Sequence, residues 1–191
     1  DGIRDVAVTG VQTCALPIMM QSKLKLVAGT SEEAKRTQME LYEMVQRSRI
    51  PLADTAQLYN RMVIPMMKIG KTSGETMQAV ESMGLALKLS GATAQEASSV
   101  MLQFSQSMNA GRLNGAEFNA VAEGAPIVLR AIEAELRRTG QWGENTTETL
   151  KKMGSEGKIS AEIMAGALLN ALPKFRADFE SLPLTVDGAV Q

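Results

Sequence analysis

What most constrains this chain is its punctuation: helix-start residues, prolines and glycines cut nearly all of it into pieces one helix long. Thr30-Ser31-Glu32-Glu33 places a glutamate three residues after a threonine, the capping-box spacing, and predicts a helix to about Ser48. Two opening glutamates and the closing Arg47 and Arg49 complement the helix dipole. Pro51 opens a helix over Leu52 to Ile69, which Pro65 is expected to kink or shorten. A third helix covers Ser73 to Leu89, with Met77, Val80, Gly84 and Leu87 on one face. Gly91 stops it, and Thr93 with Glu96 starts a fourth, striped by Ala97, Met101, Phe104 and Met108. Gly111 ends that helix, and Asn114 with Glu117 reads as the cap pair of a short helix to about Ala122. Pro126 opens a sixth, to Arg138; a loop follows, then one or two turns over Thr147 to Met153. Ser160 starts the last helix, whose stripe of Met164, Leu168, Leu172, Phe175 and Phe179 is interrupted at Pro173. Only Gln21 to Ala28 alternates as a strand would, and no strand pair is expected. The fold class is all-α: a compact array of about seven or eight helices, with one short N-terminal strand allowed for.

Composition narrows the function classes. Hydrophobic residues at 45% supply a core, but aromatics are only 4% while methionines number 13. Unbranched Met packs adaptably, so Met39, Met44, Met62, Met66, Met67, Met77 and Met83 read as core, with an adaptable partner-binding face as the alternative. A net charge of -1 carries no electrostatic footprint for nucleic acid or an anionic membrane. Histidine, the commonest general base and metal ligand, is absent. No apolar run nears the roughly 20 residues that span a bilayer, and no zinc spacing or phosphate loop occurs. No catalytic residue, cofactor or metal is therefore assigned.

The first eighteen residues, DGIRDVAVTGVQTCALPI, stand apart. They resemble the conceptual translation of a short-read sequencing adapter, with Val6-Ala7 at the index. A signal peptide would need a basic start and an unbroken apolar stretch, whereas Asp1, Asp5, Gln12 and Thr13 stand in those places. Residues 1–18 are accordingly expected to be non-native and disordered, residues 19–180 to form the helical domain, and residues 181–191 to begin a truncated linker. Cys14, the lone cysteine, falls in the excluded segment, and without it basic and acidic residues are equal in number. On this reading Met19 need not be a true start.

Three stretches carry a family likeness. Lys23 to Leu58 contains an Arg47-x-Arg49-x-Pro51-Leu52 turn into a helix that reaches Tyr59. Leu87 to Pro126 holds a Ser90-Gly91-Ala92 helix start, a Gly111-x-Leu113-x-Gly115-x-Glu117-Phe118-Asn119 corner and a Glu123-x-x-Pro126 exit. Gly157-Lys158-Ile159-Ser160-Ala161 leads into the last helix. In that order they resemble the N-terminal domain of phage and prophage tail tape measure proteins, over about residues 23–175. Leu136 to Thr149 departs from that pattern. The resemblance implies a structural role in tail length and tail tube assembly. Implied partners are the tail tube protein, tail tip or initiator proteins, tail assembly chaperones and other copies of the chain. The implied location is the tail lumen of the virion, after assembly in the host cytoplasm. A ruler works by helix length, and 191 residues as one helix would span only roughly 290 Å. Pro51, Pro65, Pro126 and Pro173 also forbid one straight rod. The chain is therefore expected to be a compact end rather than the ruler.

Competing readings are weaker. The Gly111 to Phe118 corner could bind a partner, but helix stop, helix start and a plugging Phe118 explain it. A DNA-reading helix-turn-helix over Thr93 to Ala122 would present Glu117 and Glu123 and no cation on its second helix. Those two glutamates are the candidates for a peptidoglycan-cleaving site, which needs a carboxylic acid in a cleft. A generic helical adaptor is the remaining alternative. Trp142 fits either a contact anchor or a residue folded back on the helices.

Overall fold

The computed structural model describes residues 31–48, 50–142 and 149–182. The expected strand at Gln21 to Ala28, the Thr30 cap, the segment 1–18 and residues 183–191 lie outside them. Eight helices run in the described residues: α1 (Ser31–Ser48), α2 (Leu52–Lys68), α3 (Ser73–Leu89), α4 (Ala94–Ala110), α5 (Gly115–Gly124), α6 (Pro126–Arg138), α7 (Leu150–Ser155) and α8 (Ala161–Glu180). A two-stranded sheet joins β1 (Arg112–Leu113) to β2 (Ile159–Ser160).

Helix starts follow local chemistry. Thr93 Oγ1 accepts from the Glu96 N–H, and the Glu96 carboxylate accepts from the Thr93 N–H at 2.8 Å, completing the expected capping box. Thr72 and Glu75 build the same box at α3, a pair the sequence reading passed over. Each box satisfies donors that the first helical turn leaves open. Thr149, inside the stretch expected to hold one or two turns, caps α7 by accepting from the Lys152 N–H.

Four expectations need correction. Asn114 is the N-cap residue of α5 but its side chain makes no capping bond, so the Asn114–Glu117 pair is not formed. That helix also runs on to Gly124. Pro173 does not interrupt α8, which continues through it to Glu180. A proline costs a helix one backbone bond and some strain, and here Leu172 and Phe175, both buried, hold the two sides of it in place. In α2, Pro65 is buried within the helix, which ends at Lys68, one residue before the expected Ile69. Finally, α3 does not bury one face. Thr76, Met77 and every residue from Ala79 to Leu87 are buried, because α3 is the central helix with α1, α2, α6 and α8 around it.

The core is built of Met, Leu and Ala, with Phe104 and Tyr59 as its most fully enclosed rings. Met44, Met62, Met66, Met77 and Met83 of the methionine stripe are buried, whereas Met39 and Met67 face outward. Ordinary packing thus accounts for five of the seven.

Candidate functional site

Two of the three family-like stretches, distant in sequence, meet in space. Gly111 ends α4 in the left-handed region (φ 77°), which a residue with a Cβ adopts only under strain. Its carbonyl accepts from the Ala161 N–H at 2.9 Å, just where β2 passes into α8. From there β1 and β2 pair antiparallel, Arg112 opposite Ser160 and Leu113 opposite Ile159. Leu113 and Ile159 are fully buried, and Phe118 plugs the corner against Gly154, where a Cβ would fall on the ring. The corner is a clasp between the α4–α5 turn and the α7–α8 turn. Two-residue strands are too short to show a period, so nothing in the local sequence announces this pair.

The paper candidates for catalysis do not converge. Glu117 and Glu123 stand six residues apart on α5, about 120° apart around the helix. Glu123 is exposed; Glu117 is half-buried, and its Oε2 is buried without a hydrogen-bond partner among the described residues. A small cleft lies elsewhere, between Asp54, Gln57, Leu58, Arg61, Ser98 and Met101, with room for about one water. Among the described residues no group of three His, Cys, Asp or Glu is placed to hold a metal. No described helix is long and apolar enough to cross a membrane.

Two carboxylates are the only buried charged residues among those described, and both reach α8. Glu81, on α3, accepts two bonds from the Arg176 guanidinium, at 2.9 and 2.6 Å. That contact raises the arginine above its ordinary pKa, against the opposing effect of burial. Glu135, on α6, accepts from Arg138 at 2.8 and 2.6 Å and from the Asn170 amide of α8 at 2.8 Å. The Arg138 bonds hold its carboxyl below the usual range, opposed by burial and helped by Asn170. Gly166 leaves the notch it occupies, since a Cβ there would fall on the carboxylate. Charge-assisted bonds of this geometry are what make a buried carboxylate tolerable.

Among the described residues, large apolar side chains are exposed on α1, α2 and α4 and at Leu182. Met39 and Tyr42 stand out from α1, and Ile64 and Met67 from α2. Trp142, left open by the sequence, folds back: it packs against the core, and the Arg137 guanidinium lies 5.4 Å from its ring centroid. Its backbone N–H and that of Gln141 both donate to the Leu136 carbonyl, tying down the start of the loop after α6. Residues 143–148 of that loop lie outside the described ones.

No curated protein and no solved structure matches the chain significantly. A family model described as tape measure protein matches residues 11–191, beginning inside the N-terminal segment set apart above. That span takes in the clasp, both buried carboxylates and every described helix. The family is a structural one of phage tails, in keeping with an all-helical array, and this chain belongs to the tape measure protein family.

Proposed function

We propose that this chain forms the compact assembly end of a tape measure protein, the part that meets other tail components during tail tube assembly. Tail length is then set by extended helix rather than by this array. One observation carries the reading: the longest described helix, α8, has 20 residues, about 30 Å, and the helices fold back around α3 instead of continuing one another. A ruler needs far more rise than that. The partners are the tail tube protein, tip or initiator proteins, assembly chaperones and other copies of the chain. The outer sides of α1 and α2, with Met39, Tyr42, Ile64 and Met67, offer apolar surface to them. The work is done in the tail lumen, after assembly in the host cytoplasm.

Deleting residues 31–182 in frame in a tail-producing phage, and measuring tails by negative-stain electron microscopy, tests this. Loss of most tails is the expected result. Normal numbers of tails shortened by up to roughly 230 Å would assign the segment to the ruler instead. Tails normal in number and length would remove both roles.

A further inference from the structure

Helix α2 turns outward one side that no described element covers. Its buried residues, Leu58, Tyr59, Met62 and Met66 among them, face α1, α3 and α4. On the other side Ala53, Gln57 and Ile64 are exposed and Asn60 is half-buried. At about 100° per residue these four fall within a sector of about 60°, one stripe along about 16 Å of helix. Asp54 and Arg61, both half-buried, share one flank of that stripe, where they line the small cleft against Ser98 and Met101 of α4. This acid and base cannot serve each other. Seven residues apart on one helix, they are separated by about 10 Å along its axis, beyond ion-pair reach. Neither side chain makes a hydrogen bond or ion pair among the described residues.

The order of the stripe supplies the missing partners. From Ala53 to Ile64 it reads small, amide, amide, large, with the acid near one end and the base near the other. Turned end for end against a second copy, about a two-fold axis near Leu58, Asp54 meets Arg61 of that copy and Arg61 meets its Asp54. The same rotation sets Gln57 against Asn60, two amides able to bond to each other. It also sets Ile64, 53% exposed, against Ala53 and Leu52. A two-fold axis keeps each flank on its own side, so both charged pairs form along one edge of the interface. Pairing in the same direction would instead set Asp54 on Asp54 and Arg61 on Arg61, which repel. The stripe complements itself only when antiparallel.

We propose that the outer side of α2 is a self-association surface, and that its occupant is the α2 of a second copy seated antiparallel. One helix pair of this length is small against the ~1,200 Å² at which standard interfaces begin, so the dimer is weak, with a Kd on the order of micromolar or above. The pairing is independent of the tail role, and either can fail while the other stands. Sedimentation equilibrium of the full chain, from about 10 µM to about 1 mM, tests it. The parent is expected to approach a dimer, and D54R and R61D each to weaken it about tenfold or more by creating two like-charge contacts. D54R/R61D, which exchanges the charges, is expected to regain the parental constant within about threefold. Y42D, on the exposed side of α1, should leave it unchanged. A spin label at exposed Lys68→Cys in a Cys14→Ser background reads the direction from outside the paired stretch. Labels ten residues from the axis in each copy should lie about 30 Å apart, whereas a parallel pair would bring them within about 20 Å. Should a charge variant lose its helix content, the label distance decides alone. A parent still monomeric at the highest concentration overturns the proposal and leaves the face to a different protein. A folded exchange variant that does not regain the dimer overturns it as well, as does the short label distance. A dimer lost in Y42D and kept in D54R would move the interface to α1.

Discussion

At the scale of single residues, the electrostatics of this fold have a direction. Glu135 is held below its ordinary value of 4.5, first by the Arg138 hydrogen bonds and further by Asn170, with burial opposing. The folded protein therefore binds fewer protons than the unfolded chain between the two pKa values, and stability rises with pH there. Its contribution is complete above 4.5 and is lost as pH falls through the folded value. Glu75 and Glu96, lowered first by their Thr72 and Thr93 backbone N–H donors, and Glu162, lowered first by Ser160, act with the same sign. Denaturant midpoints followed from neutral pH into the acid range should fall below that value. In E135Q the fall should be shallower, because one of the four groups no longer titrates. An unchanged slope would mean that Glu135 takes no part in the linkage.

At the scale of elements, the clasp is where local sequence and tertiary contact divide the work. Gly111 and Ser160 act locally, one ending α4 and the other capping α8 by accepting from the Ile163 N–H. Leu113 and Ile159 act only across the join, each fully buried against elements far away in sequence. Truncating a fully buried leucine removes its transfer energy and leaves a cavity, so L113A should cost about 2–5 kcal/mol. An exposed neighbour on α7, Lys151, gives the control: K151A should stay within about 0.5 kcal/mol of the parent. Chemical denaturation measures both. Equal, small effects would show that the corner is dispensable to the fold.

For the whole molecule, the methionines separate interior from surface. Met39 is 66% exposed and Met67 53%, while Met44, Met62, Met66, Met83 and Met164 are fully enclosed. Thioether oxidation needs access to the sulfur, so dilute peroxide should convert Met39 and Met67 to sulfoxides ahead of these five, read by peptide mass mapping. Early oxidation of Met62 or Met83 would show that the α2–α3 packing opens in solution. The same two exposed methionines lie on the surface proposed to meet tail components, so oxidation should also weaken any binding carried by α1 and α2.

Most helix boundaries were legible in the sequence because they are written in local chemistry. Thr93 with Glu96, Gly91, Gly111 and Pro126 act within one turn of where they stand, and α4 and α6 follow directly from them. Family membership was legible for a related reason, since the ordered corners survive as residue patterns. What the sequence could not settle were the features whose cause lies on another element. The β1–β2 pair is two residues a side and exists only because α4 and α8 bring its halves together. The continuity of α8 through Pro173 depends on Leu172 and Phe175 being buried on either side. The burial of α3 on all sides, and the meeting of Glu81 with Arg176, arise from long-range packing that no window of sequence contains. Local hydrogen bonding and backbone preference determined where helices begin and end; only the shared burial of distant side chains decided how they fit together.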